Sequence, residues 1–144
     1  WRAMLVSAEE AGADAGAEEE RRLLEDAQAA AFGRSRSGKL TREATDQVKR
    51  TARRARTRAL DLGLGLCCSW FRDLGAVAAG ADPVVLNADR RAELAADAEG
   101  LDPAAAREAV ELVIETRRRL RLNVSEELAL EALWLRLAET LSAA

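Results

Sequence analysis

A phosphate-binding loop is the most specific chemistry that any spacing in this sequence suggests. Gly33 and Gly38, followed by Lys39, have the spacing with which P-loops hold nucleotide phosphates. In a P-loop the residue after the lysine carries a hydroxyl group that binds Mg²⁺, and a buried strand precedes the loop. Leu40 supplies no hydroxyl, and residues 17–32 are acidic with a helical pattern. We therefore predict that residues 33–38, rich in Gly, Ser and Arg, form a linker and bind no nucleotide.

Catalytic and metal-binding side chains are also scarce. Histidine, the commonest general base and zinc ligand, does not occur among the 144 residues. The two cysteines, Cys67 and Cys68, are adjacent, which fits neither a C-x-x-C motif nor a useful disulfide, and we interpret them as small buried apolar side chains. The sequence predicts no catalytic, cofactor-binding or metal-binding residue. Without a disulfide framework, signal peptide or apolar run of about 18 residues, the expected location is the cytoplasm.

Charge is strongly segregated along the sequence, although the net charge is only −3. Residues 1–33 carry −5, residues 34–58 carry +8 and residues 59–144 carry −6. A basic band between two acidic segments is therefore the main electrostatic feature, and it points to a partner or surface of opposite charge.

The basic band contains a possible strip of contacts to DNA phosphates. Lys49, Arg50, Arg53 and Arg54 lie in a helical pattern, in which positions 50, 53 and 54 share one face. A solvated helix face, or one that docks against an acidic neighbour, explains the same residues. No aromatic side chain lies in the band to stack on bases. Direct DNA contact is the alternative, and solvent or protein contact is the main expectation.

Two adjacent aromatic residues followed by a charged pair form the most distinctive short segment, Trp70-Phe71-Arg72-Asp73. One interpretation is core packing beside a surface ion pair. The other is a protein interface anchored by Trp70 and Arg72, because Trp and Arg are typical of interface hot spots.

The elements that position these residues are predicted to be helices. Ala and Leu make up more than a third of the sequence, while Val, Ile and Thr together number 15. Good helix formers therefore dominate, and the predicted fold class is all-α, a small antiparallel bundle of about five helices. Residues 1–40 are predicted to be a polar helical lead-in, weakened at Gly12 and Gly16, with the linker at its end. Residues 41–144 are predicted to form the domain itself.

Helix boundaries follow from capping residues. Thr41 is a plausible N-cap for a long helix that ends near Ala79, although residues 60–66 alternate with a strand-like period of two. Gly and Leu are poor strand residues and no second strand is available, so we predict a helix there. The predicted short helix begins at Asn87 or Asp89 and is closed by Gly100, with Asp102-Pro103 and Ser125 starting the last two helices. The final helix presents an apolar stripe: Leu130, Leu133, Trp134, Leu137 and Leu141.

Several of these segments together resemble one family. The segment from Thr57 to Leu64, with its continuation Ser69-Trp-Phe-Arg-Asp-Leu74, resembles the helix that opens the C-terminal collar domain of bacterial clamp-loader delta-prime subunits. Residues 86–90 resemble that domain's N-x-D-R turn. Residues 117–133 resemble its Arg-rich helix, Asn-Val turn and "LALE" helix. The likeness covers about residues 45–141, in the same order as in the family.

The resemblance implies a non-catalytic oligomerisation domain. Collar domains join delta-prime to tau/gamma and delta subunits in a pentamer of the DNA polymerase III holoenzyme, which uses ATP to place the sliding clamp on primed DNA. The family's ATPase-type module would lie N-terminal to Trp1. The collar of a tau/gamma subunit and a stand-alone nucleic-acid-binding module are the alternatives. The candidate interface residues are Trp70, Phe71, Arg72, Leu130, Leu133, Trp134 and Leu137.

Overall fold

The computed structural model describes residues 1–30, 40–81, 84–122 and 124–142. Within these ranges the chain forms five α-helices and no strand, which confirms the predicted all-α helical bundle. The helices are α1 (Arg2–Ala30), α2 (Arg42–Ala78), α3 (Arg91–Asp97), α4 (Pro103–Leu120) and α5 (Glu126–Ser142), with a 3₁₀ turn at Ala88–Arg90 before α3. The predicted linker and its P-loop-like spacing, residues 33–39, lie outside the described residues.

The chain divides into two compact units, Arg2–Leu60 and Asp61–Ala144, here called the N-terminal and C-terminal units. The N-terminal unit contains α1 and the first part of α2, and the C-terminal unit contains the rest of α2 with the later helices. The predicted domain boundary at residue 40 stays a prediction. The two compact units describe which helices contact each other, and whether residues 41–144 fold independently is a separate question.

Two glycines of α1 lie where α2 approaches closely. A Cβ atom at Gly12 would lie 3.0 Å from the carbonyl oxygen of Ala52, and one at Gly16 would lie 3.2 Å from the Cβ atom of Ala52. Ala8, one turn before Gly12, is fully buried. The sequence predicts Gly12 and Gly16 as weak points of the lead-in, and in the structure they are positions of close contact with α2. Their missing side chains let two helix backbones pack closely in an antiparallel pair.

Polar contacts tie the same two helices together. The side-chain amide of Gln47 donates to Glu19 at 2.6 Å, and Arg56 pairs with Glu9 at 3.5 Å. One acidic residue of α1, Glu9, thus faces the basic band on α2 at Arg56.

Larger apolar side chains form the core of the C-terminal unit. Leu74 of α2, Leu94 of α3 and Ala106 of α4 belong to one buried cluster, against which Trp70 and Phe71 pack. Leu112 and Val113 of α4 are buried as well, like three leucines of α5. Amphipathic helices thus meet through their apolar faces, as their spacing predicts.

Capping residues start and end the helices largely where the sequence predicts. The hydroxyl of Thr41 accepts a hydrogen bond from the amide of Ala44 at 3.2 Å, and the carboxylate of Asp102 accepts one from Ala104 at 2.8 Å. Gly100 has a φ of 73°, the left-handed conformation expected after a helix. The hydroxyl of Ser125 accepts from Leu128 at 3.4 Å, a long cap. Asn87 precedes the 3₁₀ turn but its side chain makes no cap, since it bonds elsewhere.

The strand-like segment 60–66 is helical, as predicted. Leu60 and Leu64, one turn apart, are buried, whereas Leu62 and Leu66 are exposed. The alternation of Leu therefore reflects two sides of one helix and no sheet.

Candidate functional site

A buried carboxylate lies at the centre of the most distinctive segment. Asp73, on α2, is fully buried and accepts hydrogen bonds from the backbone amides of Leu86 at 3.0 Å and Asn87 at 2.8 Å. The side-chain amide of Asn87 donates to Asp73 at 2.7 Å, and Arg72 pairs with it at 2.8 Å. One carboxylate thus satisfies the donors of a whole turn, which attaches residues 86–87 to α2.

The charged form of Asp73 is favoured in this setting. Burial alone would raise the pKa of Asp73, but the hydrogen bonds from Asn87 and Leu86 and the charge of Arg72 outweigh it. The pKa of Asp73 therefore lies below its ordinary value. A carboxylate held ionised by structural donors has no proton to exchange near neutral pH, so this site is suited to holding a turn in place.

The residues next to Asp73 extend the same attachment. Arg72 donates to the backbone carbonyl of Val84 at 3.0 Å, and the indole nitrogen of Trp70 donates to Asp97 at 3.2 Å. Arg90 lies over the Trp70 ring, 4.9 Å from its centroid. Core packing describes Trp70 and Phe71, but the expected surface ion pair is wrong for Asp73, which is buried.

Asp73 and Asn87, which hold this turn in place, were not among the predicted site residues. The signal was present, because an Asp among apolar helical positions needs partners when it is buried, and Asn and Asp residues in turns commonly form such bonds. The pairing itself requires the fold, since fourteen positions separate the two residues.

A second polar contact joins α2 to α4 in the C-terminal unit. Arg117 donates two hydrogen bonds to Asp61, from Nε to Oδ1 at 2.8 Å and from an Nη to Oδ2 at 2.7 Å. The hydrogen bond and charge of Arg117 lower the pKa of Asp61 below its ordinary value. Such a bidentate pair fixes the orientation of both side chains.

The predicted stripe on α5 separates into buried and exposed residues. Leu130, Leu133 and Leu137 are buried inside the C-terminal unit, so they contribute to its core and are not free to contact another chain. Trp134, by contrast, is 57% exposed. The sequence places it in the same stripe as these leucines, but it is not buried with them. Leu128 and Leu135 are 66% and 61% exposed. Leu128 and Leu135 thus form the outward side of α5, and Trp134 is exposed about 100° around the helix from Leu135.

The four predicted phosphate contacts lie exposed on α2. Lys49, Arg50, Arg53 and Arg54 all keep their side chains toward solvent. Among the described residues, no acidic group forms an ion pair with Lys49, Arg50 or Arg54. Lys49, Arg50 and Arg54 are thus available to an external anionic surface.

The two cysteines are half-buried free thiols, less enclosed than predicted. Burial raises the pKa of both Cys67 and Cys68, so the thiol form is favoured. In the described ranges no group of three or more His, Cys, Asp or Glu residues is arranged to hold a metal ion.

Comparison with known proteins adds no assignment. No protein-family model, curated protein or solved structure was found to match the chain. For the residues that the structure describes, every helix is too short or too polar to cross a lipid bilayer.

Proposed function

We propose that this chain is a non-catalytic oligomerisation domain, the collar of a bacterial clamp-loader subunit of the delta-prime kind. The observation that carries the proposal is a pairing of segments. The two segments of α2 that resemble the family contact the two later segments that also resemble it, through Asp73 with Asn87 and through Asp61 with Arg117. Residues that resemble the family thus support one another physically, as motifs that define a common fold would.

The proposed role follows from this architecture. A compact helical unit with exposed apolar residues on α5 is suited to binding other subunits, and the buried leucines of α5 hold that helix in the unit. In the proposed assembly the chain joins tau/gamma and delta subunits, and the ATP-dependent loading of the clamp belongs to the assembly as a whole. In this assembly the chain acts on DNA indirectly, because the complex as a whole contacts the DNA.

Reconstitution tests this role. We expect the chain to co-purify with delta and tau/gamma subunits, and Trp134→Ala to reduce the recovered complex without lowering the thermal stability of the chain alone. The matched control is Val6→Ala, a truncation of another exposed apolar residue, on α1, which should leave recovery unchanged. No binding to either subunit would contradict the proposal. If the chain takes the place of a tau/gamma subunit in the complex and delta-prime is still required, the collar belongs to the tau/gamma kind instead.

Direct nucleic-acid binding is the second candidate, favoured by the exposed basic strip on α2. Neutralised phosphates release counterions, so the affinity for duplex DNA should fall steeply with salt. The triple substitution Lys49→Gln, Arg50→Gln and Arg54→Gln should reduce the slope of log affinity against log salt by about 0.9 per lost phosphate contact.

The matched control for this strip removes the same charge elsewhere. Arg42→Gln, Arg107→Gln and Arg118→Gln change three exposed arginines outside the strip and should alter DNA binding less. Equal losses in both triple variants would indicate a general charge effect, and no binding at low salt would exclude this candidate.

A further inference from the structure

A groove between α2 and α4 adjoins the site described above and shares Phe71 and Arg72 with it. Its volume is about 410 Å³, within the range of pockets that enclose several side chains or a small ligand. Most of its lining is apolar or small: Cys68, Phe71, Gly75, Ala79, Pro103 and Val110. Arg72 and Arg107 also line it. The groove therefore combines an apolar floor with positive charge.

The positive charge of the groove is only partly compensated. Arg72 pairs with Asp73, whereas Arg107 is exposed and forms no ion pair with any described residue. An occupant that brings a carboxylate beside an apolar side chain would complement both features of the groove.

The outward face of α5 has the complementary composition. Leu128 and Leu135 lie two turns apart on the same side of the helix, and Trp134 is exposed about 100° around the helix from Leu135. Glu131 lies between the two leucines at helical spacing, and Glu127 directly precedes Leu128. Both acids are exposed and form no ion pair with a described residue. The face is thus apolar and negatively charged, the reverse of the groove in charge.

We propose that the groove of one copy of this chain binds the outward α5 face of a second copy. Leu135 and Trp134 enter against Phe71 and Val110, and Glu131 lies opposite Arg107. The groove and the α5 face are different surfaces of one unit, so the contact is head-to-tail and continues from copy to copy as a ring or a chain. This contact uses the α5 face that the proposed clamp-loader subunits would also bind, so the two contacts exclude each other, and self-association is measured with the chain alone.

Complementary charge reversal tests the proposal. The unaltered chain should associate beyond a dimer in sedimentation velocity as its concentration rises from micromolar to millimolar. Arg107→Glu and Glu131→Arg should each weaken self-association by about tenfold or more, because each places like charges together. Arg118→Glu makes the same charge change on α4 three turns away and should leave association unchanged.

Mixing the two reversed variants supplies the decisive measurement. The altered groove of the Arg107→Glu copy complements the altered face of the Glu131→Arg copy, and the unaltered groove of the second copy complements the unaltered face of the first. The mixture should therefore regain the self-association of the unaltered chain, with the two variants alternating, although each variant alone associates weakly. A chain that stays monomeric throughout, which would leave the groove to a small acid or another protein, overturns the proposal. So do variants that associate as the unaltered chain does, or a mixture that associates no better than each variant alone.

Discussion

The two units of this molecule hold helices together in opposite ways. In the N-terminal unit, α1 and α2 meet through Gly12, Gly16 and Ala8, so that backbones lie close and few large side chains intervene. In the C-terminal unit, large leucines fill the core and a buried carboxylate attaches a turn. Close packing thus arises either by removing side chains or by interlocking them, and each arrangement is sensitive to a different substitution.

The largest expected effect is the loss of the buried carboxylate in the C-terminal unit. Asp73→Ala leaves the amides of Leu86 and Asn87 without their acceptor, and should lower the free energy of unfolding by about 3–5 kcal/mol. Asp89→Ala removes an exposed acid nearby and should change it by about 0.5 kcal/mol or less. Urea unfolding measures both, and equal small losses would show that the turn is held by its apolar contacts.

The same carboxylate predicts a pH dependence. Because the pKa of Asp73 is lowered in the folded state, its contribution is complete above the unfolded carboxyl pKa, about 3.9, and is lost as the pH falls through the lower folded value. The difference in unfolding free energy between the unaltered chain and Asp73→Asn should therefore be constant from pH 7 to 5 and shrink toward pH 3. Other acids titrate in both proteins and cancel in this difference. A difference that grows on acidification would contradict the lowered pKa.

Adjacent residues of α5 test how the C-terminal unit divides core from surface. Leu133 is 7% exposed, so Leu133→Ala should cost about 2–4 kcal/mol through lost burial and a cavity. Trp134→Ala, at an exposed position, should cost about 0.5 kcal/mol or less. Thermal unfolding of the two variants should separate them clearly. Comparable losses would mean that the Trp134 ring supports the core.

Large apolar residues explain which parts of the fold could be predicted from the sequence. The period of the leucines in α5 and the caps at Thr41 and Asp102 indicate helices directly, and the structure has them there. Trp134 has the same helical spacing but faces outward, because spacing defines a side of a helix only to within about one residue and the neighbouring helix decides which edge is covered.

Small residues and long-range polar pairs explain what could not be predicted. Gly12 and Gly16 lower helix propensity by themselves, and only the approach of Ala52 on α2 gives them a packing role. In the same way, Asp73 finds its donors across a turn that no local pattern specifies. Contacts between distant positions decide both cases.

A pair of glycine substitutions, with the smallest expected effects, sharpens the comparison between the units. At Gly12 an added Cβ would lie 3.0 Å from the carbonyl oxygen of Ala52 and 3.2 Å from the Cβ of Arg56, so the helices must separate. Gly12→Ala should therefore lower the free energy of unfolding by about 1–2 kcal/mol. At Gly65, in the C-terminal unit, an added Cβ meets no atom within 4 Å. Gly65→Ala should raise it by about 0.5–1 kcal/mol, because alanine favours the helix and nothing obstructs it. The two changes are chemically identical and both lie within helices, so opposite signs in urea unfolding would isolate the close approach as their cause. If Gly12→Ala also stabilises the chain, the backbone contact in the N-terminal unit is looser than described, and helix propensity alone governs both positions.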